Sequence, residues 1–277
     1  MRILKLFSIL FIIFFNSILA EAQTIKPSAV KKEMIRVADW QIEHFREAYT
    51  KKKPHHIADW TNGALYVGMV KHAETTKKNK YWKWLRSIGN EQNWKLHRRP
   101  YHADDHAIGQ MFIELYRKYG DQKMIKETQK SFDFIIENPS KEPITLDDYK
   151  HLERWTWCDA LFMAPPAWSG LYRATGNEAY LDFMIREWKA TSAYLYDQEE
   201  HLYYRDSTYF DKREANGKKV FWGRGNGWVM GGLVRVLQDL PANHPELDFF
   251  VTQYKQMAAK LLTCQQDDGM WRASLLD

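Results

Sequence analysis

A chain of 277 residues that is 45% hydrophobic can bury one large core, and with only two cysteines, Cys158 and Cys264, it must draw its stability from that core and not from a disulfide scaffold. The formal charge of +5 is modest and spread along the sequence without a clustered basic stripe, which excludes nucleic acid as the main partner and leaves room for an acidic substrate. After the first twenty residues no apolar run approaches a spanning length, so no membrane partner is expected.

The first predicted element is a leader. Arg2 and Lys5 precede an apolar run from Leu6 to Phe15, and Ala20-Glu21-Ala22 offers a small-x-small cleavage site. Residues 1–22 therefore read as a signal peptide and residues 23–277 as an exported domain, periplasmic or extracellular. No cysteine at the cleavage site supports a lipid anchor. No linker, charge block or low-complexity tract divides 23–277, which reads as a single domain.

Beyond residue 28 helical periodicity dominates and alternating patterns are scarce. Four openings lead into helices rich in small residues: Asp59-Trp60-Thr61-Asn62-Gly63-Ala64, Asp104-Asp105-His106-Ala107-Ile108-Gly109, Trp157-Cys158-Asp159-Ala160 and Arg224-Gly225-Asn226-Gly227-Trp228. Each is followed by a turn and a more polar amphipathic helix. Tyr116-Arg117-Lys118-Tyr119-Gly120-Asp121 and Tyr172-Arg173-Ala174-Thr175-Gly176-Asn177 show the turn most clearly, with Gly to stop one helix and Asp or Asn to start the next. Such pairs cannot bury their apolar faces singly, so they stack or close into a ring. The fold expected is all-α, of barrel type built from repeated helix pairs, with small-residue helices inside, Lys- and Glu-bearing helices outside, and the four openings gathered at one end. The segment from His201 to Phe210 is the exception, a short extended stretch or a loop.

Within this frame Asp159 stands among two tryptophans, a cysteine and Ala-Leu-Phe-Met. A carboxylate in that setting loses hydration and holds its proton to higher pH, which is what a general acid needs; the plainer reading is a helix cap. His102, Asp104, Asp105 and His106 invite a metal, but no further ligand pair stands at a recognised spacing and none is expected. Asp104 or Asp105 instead offers a second active-site carboxylate, with helix capping as the alternative. Three glycines around Arg224 would let guanidinium and backbone approach a ligand, with Trp222 or Trp228 stacked beside it; an ion pair at a helix start is the competing reading. No cofactor is expected: the glycine run lacks the Lys-Ser/Thr of a phosphate loop. Several of the twelve tryptophans sit beside Asp, His or Arg, a setting suited to stacking on sugar rings, although most are expected in the core.

The four openings together, with the run from Arg154 to Pro166 and Phe221-Trp222-Gly223-Arg224-Gly225-Asn226-Gly227-Trp228, resemble glycoside hydrolase family 105, the unsaturated rhamnogalacturonyl hydrolases of pectin degradation, relatives of the family 88 unsaturated glucuronyl hydrolases. The resemblance runs from about residue 30 onward and implies an (α/α)6 barrel. It also implies removal of a 4,5-unsaturated uronic acid from the non-reducing end of lyase-generated oligosaccharides. Asp159 then acts as general acid and base, and Asp104 or its neighbour Asp105 as the second acid. Trp60, Asn62, His102, Trp157, Trp222, Arg224 and Trp228 then line the substrate pocket, and Arg205, which stands where the family pattern differs, is expected to bind a further acidic group of the substrate. Many members carry a pocket His where this chain has Tyr204-Arg205-Asp206, and members usually continue for several more helices, so the barrel is expected to be incomplete at its C-terminus. The competing readings are a noncatalytic carbohydrate-binding remnant and another α/α-barrel enzyme, a lyase or an inverting hydrolase.

Overall fold

The structure, a computed structural model, describes residues 26–47, 54–145 and 152–277; the leader expected at 1–22 lies outside them. Helices alternate between two layers. The inner layer holds α2 (Trp60–Thr76), α4 (Ala103–Tyr119), a short α6 (Ala160–Met163) leading into α7 (Pro165–Thr175), and α9 (Gly223–Asp239). The outer layer holds α1 (Pro27–Glu43), α3 (Asn79–Glu91), α5 (Lys123–Glu137), α8 (Glu178–Leu195) and α10 (Leu247–Thr263). Inner helices pack in chain order, α2 on α4, α4 on α7 and α7 on α9, and each outer helix packs on its inner neighbours.

The layering follows from composition. Inner α4 is buried on nearly every side from Ala103 to Leu115, and α7 from Pro165 to Leu171, because small residues let neighbouring backbones close in around them. Outer α3 and α5 bury a single stripe, Tyr81, Trp82, Leu85 and Ile88 in one and Met124, Ile125, Phe132 and Ile135 in the other. The predicted turns form as read: Gly120 and Gly176 end α4 and α7 in the left-handed region, and the Asn177 side chain then caps α8. Tyr196–Asp197 pairs antiparallel with Leu202–Tyr203 as β1 and β2, so the exceptional segment is part strand, followed by a 3-10 turn at Ser207–Tyr209.

One core runs through both layers, with Trp82, Trp94, Trp155, Trp168 and Trp188 buried in it. A satellite cluster of Leu202, Phe221, Cys264, Leu275 and Leu276 seats residues 272–276 on the start of α9, where Gly223 N donates to Ala273 O and Leu275 N to Phe221 O. Cys158 and Cys264 are both buried and free. Among the described residues no helix is long and apolar enough to cross a membrane.

Candidate active site

Helix starts assemble the site. Asp159 directly precedes α6, yet its side chain caps nothing, which removes the plain capping reading. Its backbone is held from two sides. Arg154 pairs with Glu187 of α8 (2.5 Å) and Thr191 of α8 donates to Trp155 O, while Cys158 N donates to Arg205 O at 2.8 Å. Burial pushes the Asp159 carboxyl up to about 6, against a hydrogen bond from its own backbone N–H and the fields of Arg205 and Arg224.

Asp104, in the first turn of α4, is the partner. Burial and then the charge of Asp159 push its carboxyl up to about 7, despite Arg99 and the favourable end of the helix dipole. The charge of Asp159, once ionised, thus helps to hold the proton on Asp104. Asp105 occupies different ground. It is 2% exposed and receives the Arg99 backbone N–H (2.7 Å) and the Arg99 guanidinium (2.5 and 3.1 Å). Burial alone would raise its pKa, but the Arg99 hydrogen bonds hold it below the usual carboxylate range. Of the two neighbours, Asp104 is the one shifted toward neutrality, while Asp105 is engaged as a strut of the loop before α4.

The aromatic residues expected as walls are all half-buried. Trp60 meets Trp228 edge-on at 6.4 Å, Trp228 leans on Phe162 at 4.7 Å, and Trp157 lies against His102 at 5.0 Å. Arg224 is exposed with its guanidinium 4.6 Å above the Trp222 ring. Among the described residues no carboxylate lies within ion-pair distance of it, so the structural ion pair is not made. Arg205 pairs with buried Asp206 at 2.8 Å and lies near the Tyr209 ring.

Three of the expected contacts involve groups already engaged within the fold. His102 does not reach outward: it is buried, its Nδ1 accepts from Asp104 N as the cap of α4, and burial, then the Arg99 charge, hold it neutral with a pKa of about 4. Asn62 spends its amide on the His56 carbonyl at 2.9 Å, bracing the loop before α2. The glycines beside Arg224 serve packing: a Cβ on Gly225 would strike Trp222 and Cys158 Sγ, and one on Gly223 would strike Arg272 O. His106, weighed as a ligand, is locked in the core between Pro100 O (2.6 Å) and Trp168 Nε1. Among the described residues no cluster of three or more His, Cys, Asp or Glu side chains is placed to hold a metal.

A layer not singled out from the sequence underlies the acids. Asp59 accepts from His56 N at 2.8 Å and lies 3.4 Å from His97 Nε2, and the His56 and His97 rings stack at 4.8 Å. Those two histidines form one wall of a 770 Å³ cavity that also takes in Lys95, Arg98, Lys130 and Phe134; the acid pair stands outside its lining. Contacts between the loops that precede α2 and α4 create this layer, and no local pattern marks it.

Comparison with known proteins gives the family and the fold. The sequence profile of Glycosyl Hydrolase Family 88 matches residues 33–277. The chain belongs to that family. An unsaturated 3S-rhamnoglycuronyl hydrolase of Alteromonas sp. (strain LOR) is 35% identical over 90% of this chain, which spans 65% of that relative's length. A solved family 88 glycosyl hydrolase from Bacteroides vulgatus superposes with a TM-score of 0.75 at 25% identity, over 89% of this chain and 72% of that one. A structure described as a polysaccharide lyase superposes at 0.78 with 27% identity, over 91% and 72%. The all-α barrel architecture expected from the sequence is that of these neighbours.

Proposed function

We propose that this family 88 chain removes a 4,5-unsaturated uronic acid from the non-reducing end of lyase-generated oligosaccharides, by hydration of the vinyl ether. The observation that carries the reading is the pair of half-buried carboxyls, Asp159 and Asp104, both shifted toward neutrality and flanked by two guanidinium groups and aromatic walls. Asp159, protonated, delivers its hydrogen to C4 of the enol ether. Water adds at C5 and gives its proton back to the Asp159 carboxylate. The C5 hemiketal then opens to a ketone, and the C1 hemiacetal so exposed releases the neighbouring sugar. Asp104 holds substrate hydroxyls, and the charge left on Asp159 once it has given up its proton keeps Asp104 protonated. Arg224 supplies parallel N–H donors for the substrate carboxylate, and Trp222, Trp228, Trp60 and Trp157 supply faces for the rings.

The name of the Alteromonas relative joins rhamnose to an unsaturated glycuronyl unit, which supports an acidic, rhamnose-containing substrate. The basic cavity beside the acids suits an oligosaccharide with more than one anionic group. The leader-like residues 1–22 support export.

The test is ultraviolet absorbance of the conjugated uronate. Wild type should bleach it while Asp159→Asn does so at least about 10²-fold more slowly; equal rates would remove Asp159 from its role. A second reading, a lyase on the same scaffold, is favoured by the polysaccharide lyase that superposes at a TM-score of 0.78. It predicts the opposite sign, absorbance rising when intact polysaccharide is supplied. Binding with neither change would indicate a noncatalytic carbohydrate module.

A further inference from the structure

The break between α6 and α7 lies beside the reacting acid. In an uninterrupted helix the N–H groups of residues 166 and 167 would close onto the carbonyls of Phe162 and Met163. Pro166 has no N–H, and Ala167 N donates to Ala164 O at 2.9 Å instead. Among the described residues no backbone N–H reaches either carbonyl. Phe162 and Met163 are both buried, so an unmet acceptor there would carry the full desolvation penalty.

One side chain meets both. Gln110 of α4, 1% exposed, donates through Nε2 to Phe162 O at 2.8 Å and to Met163 O at 3.1 Å. Its orientation is fixed by chemistry, since both neighbours accept and only the NH2 end donates. Its Oε1 is buried without a hydrogen-bond partner among the described residues. A glutamine that leaves its own acceptor unmet inside the stripe Ile108-Gly109-Gln110-Met111-Phe112 is costly there unless its donor end is needed.

We infer that Gln110 is a positioning residue: it replaces the helix hydrogen bonds that the Pro165-Pro166 break removes, and so fixes the four-residue α6, with Asp159 at its head, against the helix that carries Asp104. A single helical turn does not hold its own shape. Gln110 lies six residues beyond Asp104 on α4, so the same rigid helix positions one acid directly and the other through an amide. A displacement of about 1 Å at a reacting group can cost about 10²-fold in rate, which sets the scale of the effect.

The experiment compares wild type, Gln110→Leu and Gln110→Glu. The kinetic arm rests on the hydrolase reading; the second arm, NMR titration of ¹³C-labelled aspartate carboxyls without substrate, does not. For Gln110→Leu the expected result is a kcat lowered about 10- to 100-fold with KM within about twofold, and displaced titration of Asp159 and Asp104. Arg99, Arg205, Arg224, Asp105, Asp206 and Asp59, the other charged groups acting on the pair, are unchanged, so a displaced titration reports altered spacing. Gln110→Glu, protonated in the dry core, restores one of the two hydrogen bonds and should recover part of kcat with a smaller displacement. If the Gln110→Leu carboxyls titrate as in wild type and only Tm falls, the residue is merely structural and the inference is overturned. Should Gln110→Leu not fold, Gln110→Glu decides: titrations and kcat identical to wild type overturn the inference. If wild type consumes no unsaturated uronide, the proposed function fails while the titrations still decide the role of Gln110.

Discussion

Asp159 and Asp104 are held above the ordinary carboxylate range, at the expense of stability near neutral pH. Both folded pKa values lie above the unfolded carboxylate value of about 3.9, so folding takes up protons. The stabilisation is complete below about pH 4 and is lost as pH rises through about 6 and then 7. Asparagine carries no charge at any pH and is free of this loss. Asp159→Asn and Asp104→Asn should therefore unfold at higher temperature than wild type at pH 7–8, by on the order of 1–3 kcal/mol each, with little difference at pH 4. Thermal unfolding across that range checks this; a difference independent of pH would mean that the acids are not desolvated in the fold. The same protonation logic predicts that kcat/KM declines as pH rises past the pair, because the donor is lost. A rate that climbs steadily to pH 8 would contradict a protonated aspartic acid as the donor. Asp105 gives the contrasting case. Arg99→Ala strips a 2% exposed carboxylate of its guanidinium hydrogen bonds, leaving it the backbone N–H of residue 99, and should cost about 1–3 kcal/mol, measurable by urea denaturation, whereas a surface pair would cost under about 1.

At the scale of elements, the site is set by how closely inner helices approach. Gly232 of α9 faces Leu161 of α6, and a Cβ there would lie 2.1 Å from the Leu161 carbonyl oxygen. Since backbone cannot swing aside as a side chain can, Gly232→Ala must push α9 from α6. It should cost about 1–3 kcal/mol and lower kcat beyond what the fraction folded explains; calorimetry with active-site titration separates the two, and full specific activity would show that the spacing is not critical. The alternation of small-residue and amphipathic helices was legible in the sequence, as were the turns at Gly120 and Gly176, because these depend on a few neighbouring residues. The parting of α6 from α7 was not read, although Pro165-Pro166 stood in view, since its consequence depends on what replaces the lost donors. Asp104 could not be told from Asp105 for a similar reason. They are adjacent and both acidic, and only the fold of the loop brings Arg99 onto one of them. His102 and Asn62, read from the sequence as pocket residues, also brace the fold, because side-chain type does not show whether a donor or acceptor is already engaged at home.

Across the whole molecule the inner helices collect their N-terminal ends, and with them both acids and the tryptophan walls, while the loops preceding α2 and α4 form the adjoining cavity. Lys95, Arg98 and Lys130 project there with Glu127 as the one acid in the lining, and among the described residues none of the three cations is within ion-pair distance of a carboxylate. Unneutralised cations beside a substrate cleft raise the local concentration of an anionic ligand, and the effect weakens as salt shortens the Debye length from about 30 Å at 0.01 M to about 10 Å at 0.1 M. If the cavity receives the acidic saccharides beyond the bond that is cut, Lys130→Glu combined with Lys95→Glu should raise KM for a multiply anionic oligosaccharide about 3- to 10-fold at low salt. It should leave kcat unchanged, because neither residue touches the acids. The change should shrink at 0.5 M salt and be nearly absent for a substrate whose only charge is the unsaturated uronate. An equal rise in KM for both substrates would instead assign the lysines to the pocket around the uronate, and no rise for either would leave the cavity outside the substrate path.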